Sequence, residues 1–458
     1  MPRFSHAFIA LVPMVAAYFI FRTFVIDLEF LQGVVAKLNL SWPLAIHPDA
    51  TQVPVAANEG SQFVLNDGIP GGPPSHAHDS HKVHHHHHHH EHTATPPVPQ
   101  FTRKIVAVGD LHGDMPNAQS VLQMAGVVDS EGKWTGNIDI FVQTGDIIDR
   151  GDDTIKLYLW MERLRAQAAE QGGIVLSHLG NHEWMNVIGD WRYVYPTEVK
   201  TFGSTEARFK MLQSGRIGKA WAANYTTTSR LPLHPALGPP NTDYDPSSPL
   251  ASSPLSHAAI SFVHGGLAPN YPDLTPFPSR INDIGHSLLQ KLQSRTPPPV
   301  HPPHPYPGLP ADSTIEEQRL YDGNGPLWYR GWALDPEEKV CSEVDAVLEK
   351  TGTRRMIMGH TPDFQVGVLI AVSGSSLIQF AQKIVSRCDG KIIIIDTGIS
   401  HAYGGALSAL SIEYTLSPIS ITPTRKQWLE HETVTAIYPD RIQVLADDEW
   451  ELEGDISA

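Results

Sequence analysis

From about residue 101 the chain repeats one pattern: a short apolar run that ends in polar, glycine-containing sequence. Residues 105–108 lead into Gly109-Asp110-Leu111-His112-Gly113-Asp114, and 138–142 lead through Gln143-Thr144 into Gly145-Asp146-Ile147-Ile148-Asp149-Arg150-Gly151. Residues 174–179 lead into Gly180-Asn181-His182-Glu183, 259–263 into His264-Gly265-Gly266, 356–358 into Gly359-His360-Thr361, and 392–395 into Asp396-Thr397-Gly398. Short continuous apolar runs of this kind predict strands buried on both faces, with helices such as 154–171 between them. The polar residues then collect at the carboxyl ends of strands in an α/β arrangement, where such folds place their sites.

Outside this region the pattern changes. Residues 7–21 are strongly apolar between Arg3 and Arg22, and 23–26 extend the run if Arg22 snorkels to an interface. No convincing small-residue cleavage site follows, so residues 1–47 are expected to act as a membrane anchor rather than a signal peptide or a core helix. Residues 48–100 are rich in Pro, Gly, Ala and His, with an unbroken histidine run at 84–90, and read as a disordered, solvated linker. Metal buffering by that tract is the alternative. Residues 296–310 (TPPPVHPPHPYPGLP) and the Pro/Ser-rich stretch 232–254 read as surface insertions that leave the core intact. The main domain is expected to span 101–417, with a C-terminal extension at 418–458.

Composition adds limits. At 458 residues and 41% hydrophobic, the chain can bury a large core. Its net charge of −16 argues against nucleic acid as a partner. Two cysteines, Cys341 and Cys388, form no framework or CxxC motif. One bridge between them is conceivable, and two unpaired thiols are the expectation.

Six residues at the strand ends carry metal-ligand chemistry: Asp110, His112, Asp146, Asn181, His264 and His360. They offer carboxylate, imidazole and amide oxygen without sulfur, a set suited to manganese, iron or zinc. A bridging carboxylate such as Asp146 can serve two ions, which together activate water and clamp phosphate oxygens. Each residue alone would read as a cap, a turn or a core histidine. GDxHG, GDxxDRG, GNHE, HGG and GH in this order, each after an apolar run, point to a two-metal site.

These motifs resemble the phosphoprotein phosphatase branch of the calcineurin-like metallophosphoesterases over roughly residues 101–416. With Gly359-His360-Thr361-Pro362, Trp328-Tyr329-Arg330-Gly331 and the segment from Asp396 to Gly405, they are similar to its Shewanella-like protein phosphatases. The resemblance implies a sandwich of two mixed β-sheets flanked by helices. It implies two divalent metals, Mn2+ foremost with Fe or Zn possible: one on Asp110, His112 and Asp146, the other on Asp146, Asn181, His264 and His360. It further implies His182 as general acid, Asp149 as the carboxylate orienting it, and Arg150 and Arg330 as phosphate-binding arginines. The implied reaction is hydrolysis of phosphomonoesters, phosphoproteins foremost, by hydroxide held between the metals. The chain departs from common serine/threonine phosphatases at Asp114, Leu179 and the late loop, where His401 is assigned no role. These departures leave the chemistry intact and open the substrate. A dinucleoside polyphosphate hydrolase and a non-catalytic scaffold remain the alternatives.

Overall fold

Among the described residues, twelve principal strands lie in two stacked sheets, and each sheet contains a parallel trio ending in the motif loops. The computed structural model describes residues 99–456, apart from positions 248, 363–364, 367–369, 373–374, 378–379 and 423–424. The expected anchor and histidine tract lie outside the described residues. Among the described residues, no helix is long and apolar enough to cross a membrane.

In the larger sheet, β1 (Phe101–Val108) pairs in parallel with β2 (Ile140–Gln143), β2 with β3 (Ile174–His178), and β3 with the short β4 (Tyr225–Thr226). The smaller sheet opens with β5 (Thr228–Pro232) antiparallel to β6 (Ala259–Val263), which runs parallel to β7 (Arg355–Met358). Two small ribbons follow, formed by β8 (Gln365–Val366), β9 (Ile370–Val372), β10 (Ser375–Leu377) and β11 (Phe380–Ala381), where β8 pairs with β11 and β9 with β10. The smaller sheet then closes with β12 (Val385–Arg387) and β13 (Ile392–Ile394), the latter parallel to β7. Last, β14 (Ala409–Ile421), β15 (Lys426–Ile437) and β16 (Ile442–Glu453) form an antiparallel meander on the open side of β1.

The strand pleat explains the layers. Ile105 and Ala107 face the second sheet and pack with Phe262, Ile357 and Ile393 in the central core. Val106 and Val108, one residue out of phase, face the outer helices with Phe141. Helices α1 (Met115–Met124), α2 (Thr154–Glu170), α3 (Asn181–Ile188), α4 (Pro196–Phe202), α5 (Thr205–Gln213) and α6 (Arg216–Asn224) come from the first half. They are followed by α7 (Ser279–Ser294), α8 (Ile315–Tyr321), α9 (Gly331–Leu334) and α10 (Glu337–Thr351). The expected α/β sandwich of two mixed sheets is therefore the fold.

Two readings change. The thiols expected to be unpaired are joined: a Cys341–Cys388 disulfide, with Cα atoms 5.3 Å apart, ties α10 to the turn after β12. The boundary drawn at 417/418 falls inside β14, and the residues beyond it complete the larger sheet. The alternation of β15 hides this in the sequence, because two of its core-facing residues are Glu430 and Glu432. Arg354 meets Glu430 at 2.7 Å, and Arg355, at the start of β7, binds Glu432 and Asp448. Buried carboxylates persist there because arginines from the facing sheet neutralise them.

Candidate metal centre

The loops after β1, β2, β3, β6, β7 and β13 converge on one buried cluster. Gly145 and Gly180 let two of them touch: a Cβ on Gly145 would lie 2.5 Å from the Gly180 nitrogen, and one on Gly180 would lie 2.2 Å from Asp146 Oδ1. Backbone strain marks the same place. His112, Asp146, Asp149, Arg150 and His360 all take positive φ, at 43°, 55°, 72°, 62° and 68°. Such conformations cost side-chain-bearing residues about 1–3 kcal/mol each and persist where surrounding structure enforces them. Glu183 does much of the enforcing. Its carboxylate accepts from the backbone N–H of Gly180, Asp146 and Ile147 at 2.7, 2.9 and 2.8 Å, and from the Tyr158 hydroxyl at 2.8 Å.

Asp146 sits at the centre. Its Oδ2 lies 3.8 Å from His112 Nε2, 3.8 Å from His182 Nε2 and 3.2 Å from His264 Nε2. Asp110 Oδ2 lies 3.9 Å from His112 Nε2, and its Oδ1 lies 4.0 Å from His264 Nδ1. Asn181 Oδ1 is 2.7 Å from His264 Nε2. The other ring nitrogens of His112 and His264 donate to the carbonyls of Ile148 and Thr144, at 3.0 and 2.9 Å, which leaves Nε2 of each facing inward. His112, Asp146 and His182 bring three ligand atoms within 4.8 Å of one another, as do Asp146, His264 and His360.

The residues fit a pair of cations on electrostatic grounds as well. Burial pushes the Asp110 carboxyl well above its usual range, and Asp396 and Asp146 push it further. Asp396 rises to about 6 for the same first reason, burial. Burial opposes ionisation of Asp146 too, but the imidazoles of His264, His182 and His112 outweigh it and hold this carboxylate well below its usual range. Burial lowers His112 to about 3 and His360 well below its normal value, with Arg330 adding to the second effect. Carboxylates are thus crowded in a dry site where two of the imidazoles resist protonation, and added positive charge relieves them. His360 Nε2 is buried without a hydrogen-bond partner, as an aimed but unused ligand would be.

Around this cluster stand the other expected residues. His182 Nδ1 lies 2.7 Å from Asp149 Oδ2. The second oxygen of Asp149 accepts from Asn186 at 2.9 Å and from the fully buried Arg208 at 3.4 Å, which itself binds Glu198. The Arg150 guanidinium is held between the rings of Tyr193 and Tyr403, 4.2 and 4.7 Å from their centroids. Arg330 donates to the His360 carbonyl at 2.7 Å and to Thr361 Oγ1 at 3.0 Å, and it faces Asp396, Asp110 and Asp146. All ten expected residues therefore meet in one place. Asp396 belongs with them, although sequence reading gave it no role; its position after an apolar run, like Asp110 and Asp146, was the available signal.

The calcineurin-like phosphoesterase profile matches residues 103–364, more than half of the chain. The chain belongs to that family. An uncharacterised protein of Schizosaccharomyces pombe is 35% identical over 320 residues, covering 68% of this chain and 78% of the relative. Shewanella-like protein phosphatase 2 of Arabidopsis thaliana is 27% identical over 339 residues, covering 66% and 73%. Among solved structures, a mutant cold-active protein tyrosine phosphatase superposes with a TM-score of 0.51 at 20% identity, covering 75% of this chain and 80% of that one. At that identity the likeness speaks for the fold. The phosphoesterase reading and the resemblance to Shewanella-like phosphatases both hold, and the protein is a hydrolase of that class.

Proposed function

We propose that the protein is a metal-dependent phosphatase of phosphoproteins. Asp110, His112 and Asp146 would hold one divalent ion, and Asp146, Asn181, His264 and His360 the other, with Mn2+ favoured over Fe or Zn. When bound, the pair supplies Lewis acidity at the phosphoryl oxygens and activation of the attacking water. The observation that carries the reading is the His182–Asp149 contact of 2.7 Å. With Asp149 accepting from Nδ1, the Nε2 of His182 can carry a proton toward the site and give it to the departing oxygen. His182 also lies within ligand range of Asp146, so metal content and proton donation need separate measurement. Arg150 and Arg330 carry permanent charge beside the cluster, suited to gripping phosphate oxygens.

Protein substrates are proposed because the Arabidopsis thaliana relative is called a protein phosphatase, and tyrosine is included because the solved structure named above carries that word in its name. The test is a panel of phosphoserine, phosphothreonine and phosphotyrosine peptides against diadenosine tetraphosphate, with Mn2+ and a metal assay of the purified protein. Turnover of the dinucleotide without turnover of any peptide sinks the protein-phosphatase reading. Inactivity on every substrate, with metal bound, leaves the scaffold. The apolar run at 7–26 is proposed to hold the chain on a membrane, which fractionation of the full chain against residues 100–458 checks.

A further inference from the structure

The Pro-rich segment at 296–310, expected to be an idle surface insertion, is fastened to the carboxyl end of α3, the helix that begins with Asn181 and His182. The His301 N–H donates to Gly189 O at 2.9 Å, and the Trp191 N–H donates to His301 O at 2.7 Å. Arg295, at the segment's root, donates to Gly308 O at 3.1 Å and to Ile188 O. Gly189 ends α3 at a φ of 96°, and Pro298 and Pro307 close over it, 3.0 and 3.5 Å from where a side chain would begin. A solvated polyproline loop would leave these groups to water. This one spends them on the site helix.

The fastening brings Tyr306 to the end of an aromatic line that starts at the metal cluster. The Trp328 ring meets the His360 ring edge-on at 5.6 Å, and Tyr321 meets Trp328 edge-on at 5.8 Å. The Tyr321 phenol in turn faces that of Tyr306, with Asp190 and Arg192 beside both. Tyr306 remains 48% exposed, so its ring is presented rather than packed away. The line spans about three extended residues as far as Tyr321, and Tyr306 lies one ring further out. Tyrosine and tryptophan faces recognise apolar and planar groups at little entropic cost, because few torsions need fixing.

We propose that residues 296–310 form a substrate-recognition arm. Tyr306, with Tyr321 and Trp328, makes a subsite for an apolar or aromatic side chain about three to five residues from the phosphorylated residue of a polypeptide. The inference rests on the phosphoprotein reading and names how that site selects among peptides. The test uses the full chain with Mn2+ and three substrates: p-nitrophenyl phosphate, a phosphopeptide with Leu or Phe at the flanking positions, and the same peptide with Ala there. Tyr306→Ala is expected to lower kcat/KM for the Leu/Phe peptide about tenfold, mainly through KM, the size of a lost aromatic contact. Rates on the other two substrates should stay at the parental level, and Tyr306→Phe should keep the parental preference. Equal losses on all substrates, no loss on any, or a Phe variant as poor as the Ala variant overturns the arm. So does a fall in diadenosine tetraphosphate hydrolysis by Tyr306→Ala, measured alongside these three, since the aromatic line would then stack a base. If the parent cleaves p-nitrophenyl phosphate but no peptide, the protein-substrate reading has failed and takes the arm with it. If the parent cleaves peptides and the variant matches it, the arm alone has failed.

Discussion

His182 and Asp149 form a buried pair, Nδ1 to Oδ2 2.7 Å, although they come from different strand ends, and both are almost fully shielded from solvent. Asn186 and Arg208 hold the other Asp149 oxygen, so the carboxylate cannot turn away. Burial disfavours its charge, yet the His182 contact, with His182 and Arg208 charges behind it, keeps the Asp149 pKa below the usual carboxylate value. An ionised Asp149 fixes the tautomer of its partner and leaves Nε2 as the proton carrier.

Replacing His182 by Asn should therefore retain metal and lose rate. A general acid contributes about 10²–10⁴-fold, and the loss should shrink for dinitrophenyl phosphate, whose leaving group needs no proton. Metal analysis and a leaving-group series measured together decide the matter. Loss of metal would make His182 a ligand, and an equal loss on every leaving group would remove its role as proton donor.

Metal binding should expel protons. Burial raises Asp396 from the usual 3.8 to about 6, so it retains its proton near pH 5 without metal, and burial pushes Asp110 in the same direction. A carboxyl whose folded pKa is raised stabilises the fold below its unfolded pKa, and that contribution fades as pH climbs through the folded value. Metal-free protein should thus lose stability between 3.8 and about 6 from Asp396, while Mn2+ should restore it increasingly over the same window. Calorimetry at pH 5.5 in buffers of different ionisation enthalpy reads the released protons, and thermal melts read the stability. Binding without proton release would mean the carboxylates are already ionised.

Much of this site was legible because each ligand follows a strand, and strand ends announce themselves as apolar runs stopped by glycine. Asp110, Asp146 and His360 needed no tertiary knowledge to find. What escaped depended on partners far away in sequence. Glu430 and Glu432 break the apolar alternation of β15, and only Arg354 and Arg355, over 70 residues earlier, make them core residues. Asp396 received no role because its closeness to Asp110 is a product of sheet stacking, while its Oδ1 accepts locally from Gly398 N–H at 3.0 Å. The arm at 296–310 read as idle because composition carries no record of what a proline segment docks against.

The disulfide gives a stability test. Cys341 and Cys388 close a loop of 47 residues, for which chain entropy predicts about 4 kcal/mol at most. Arg387 also clips this corner, donating to the carbonyls of Trp332 and Asp335 at 2.6 and 2.7 Å. Cys341→Ser with Cys388→Ser should therefore lower Tm by several degrees without unfolding the protein at 25 °C. Reductant should lower the Tm of the parent by a similar amount and leave the double variant unmoved. A parent indifferent to reductant would mean that the bond is absent in solution. Its presence would suit an oxidising compartment.

Arg330 supplies the sharpest test of phosphate binding. Its guanidinium is tethered by the His360 carbonyl and Thr361 Oγ1, at 2.7 and 3.0 Å, so its position is fixed before any ligand arrives. Burial lowers its pKa, while Asp396, Tyr403, Asp110 and Asp146 pull the other way. Arginine keeps its charge at any relevant pH, so a cation stands opposite the proposed metal ligands. Two cations placed there would repel Arg330, and an anion bound between them would reconcile all three. Arg330→Ala should accordingly bind Mn2+ at least as tightly as the parent, because a repulsive charge has gone. It should nonetheless raise KM, lower kcat and weaken inhibition by inorganic phosphate, by about 10–10²-fold for a charge-assisted contact of roughly 1.5–3 kcal/mol. Arg330→Lys should recover little, since an ammonium cannot hold the carbonyl, the hydroxyl and a phosphate oxygen in one plane. The deciding quantity is the phosphate inhibition constant measured alongside metal content. Unchanged phosphate binding in the Ala variant would return Arg330 to the role of a tether for the His360 loop and leave Arg150, stacked between Tyr193 and Tyr403, as the phosphate-binding arginine.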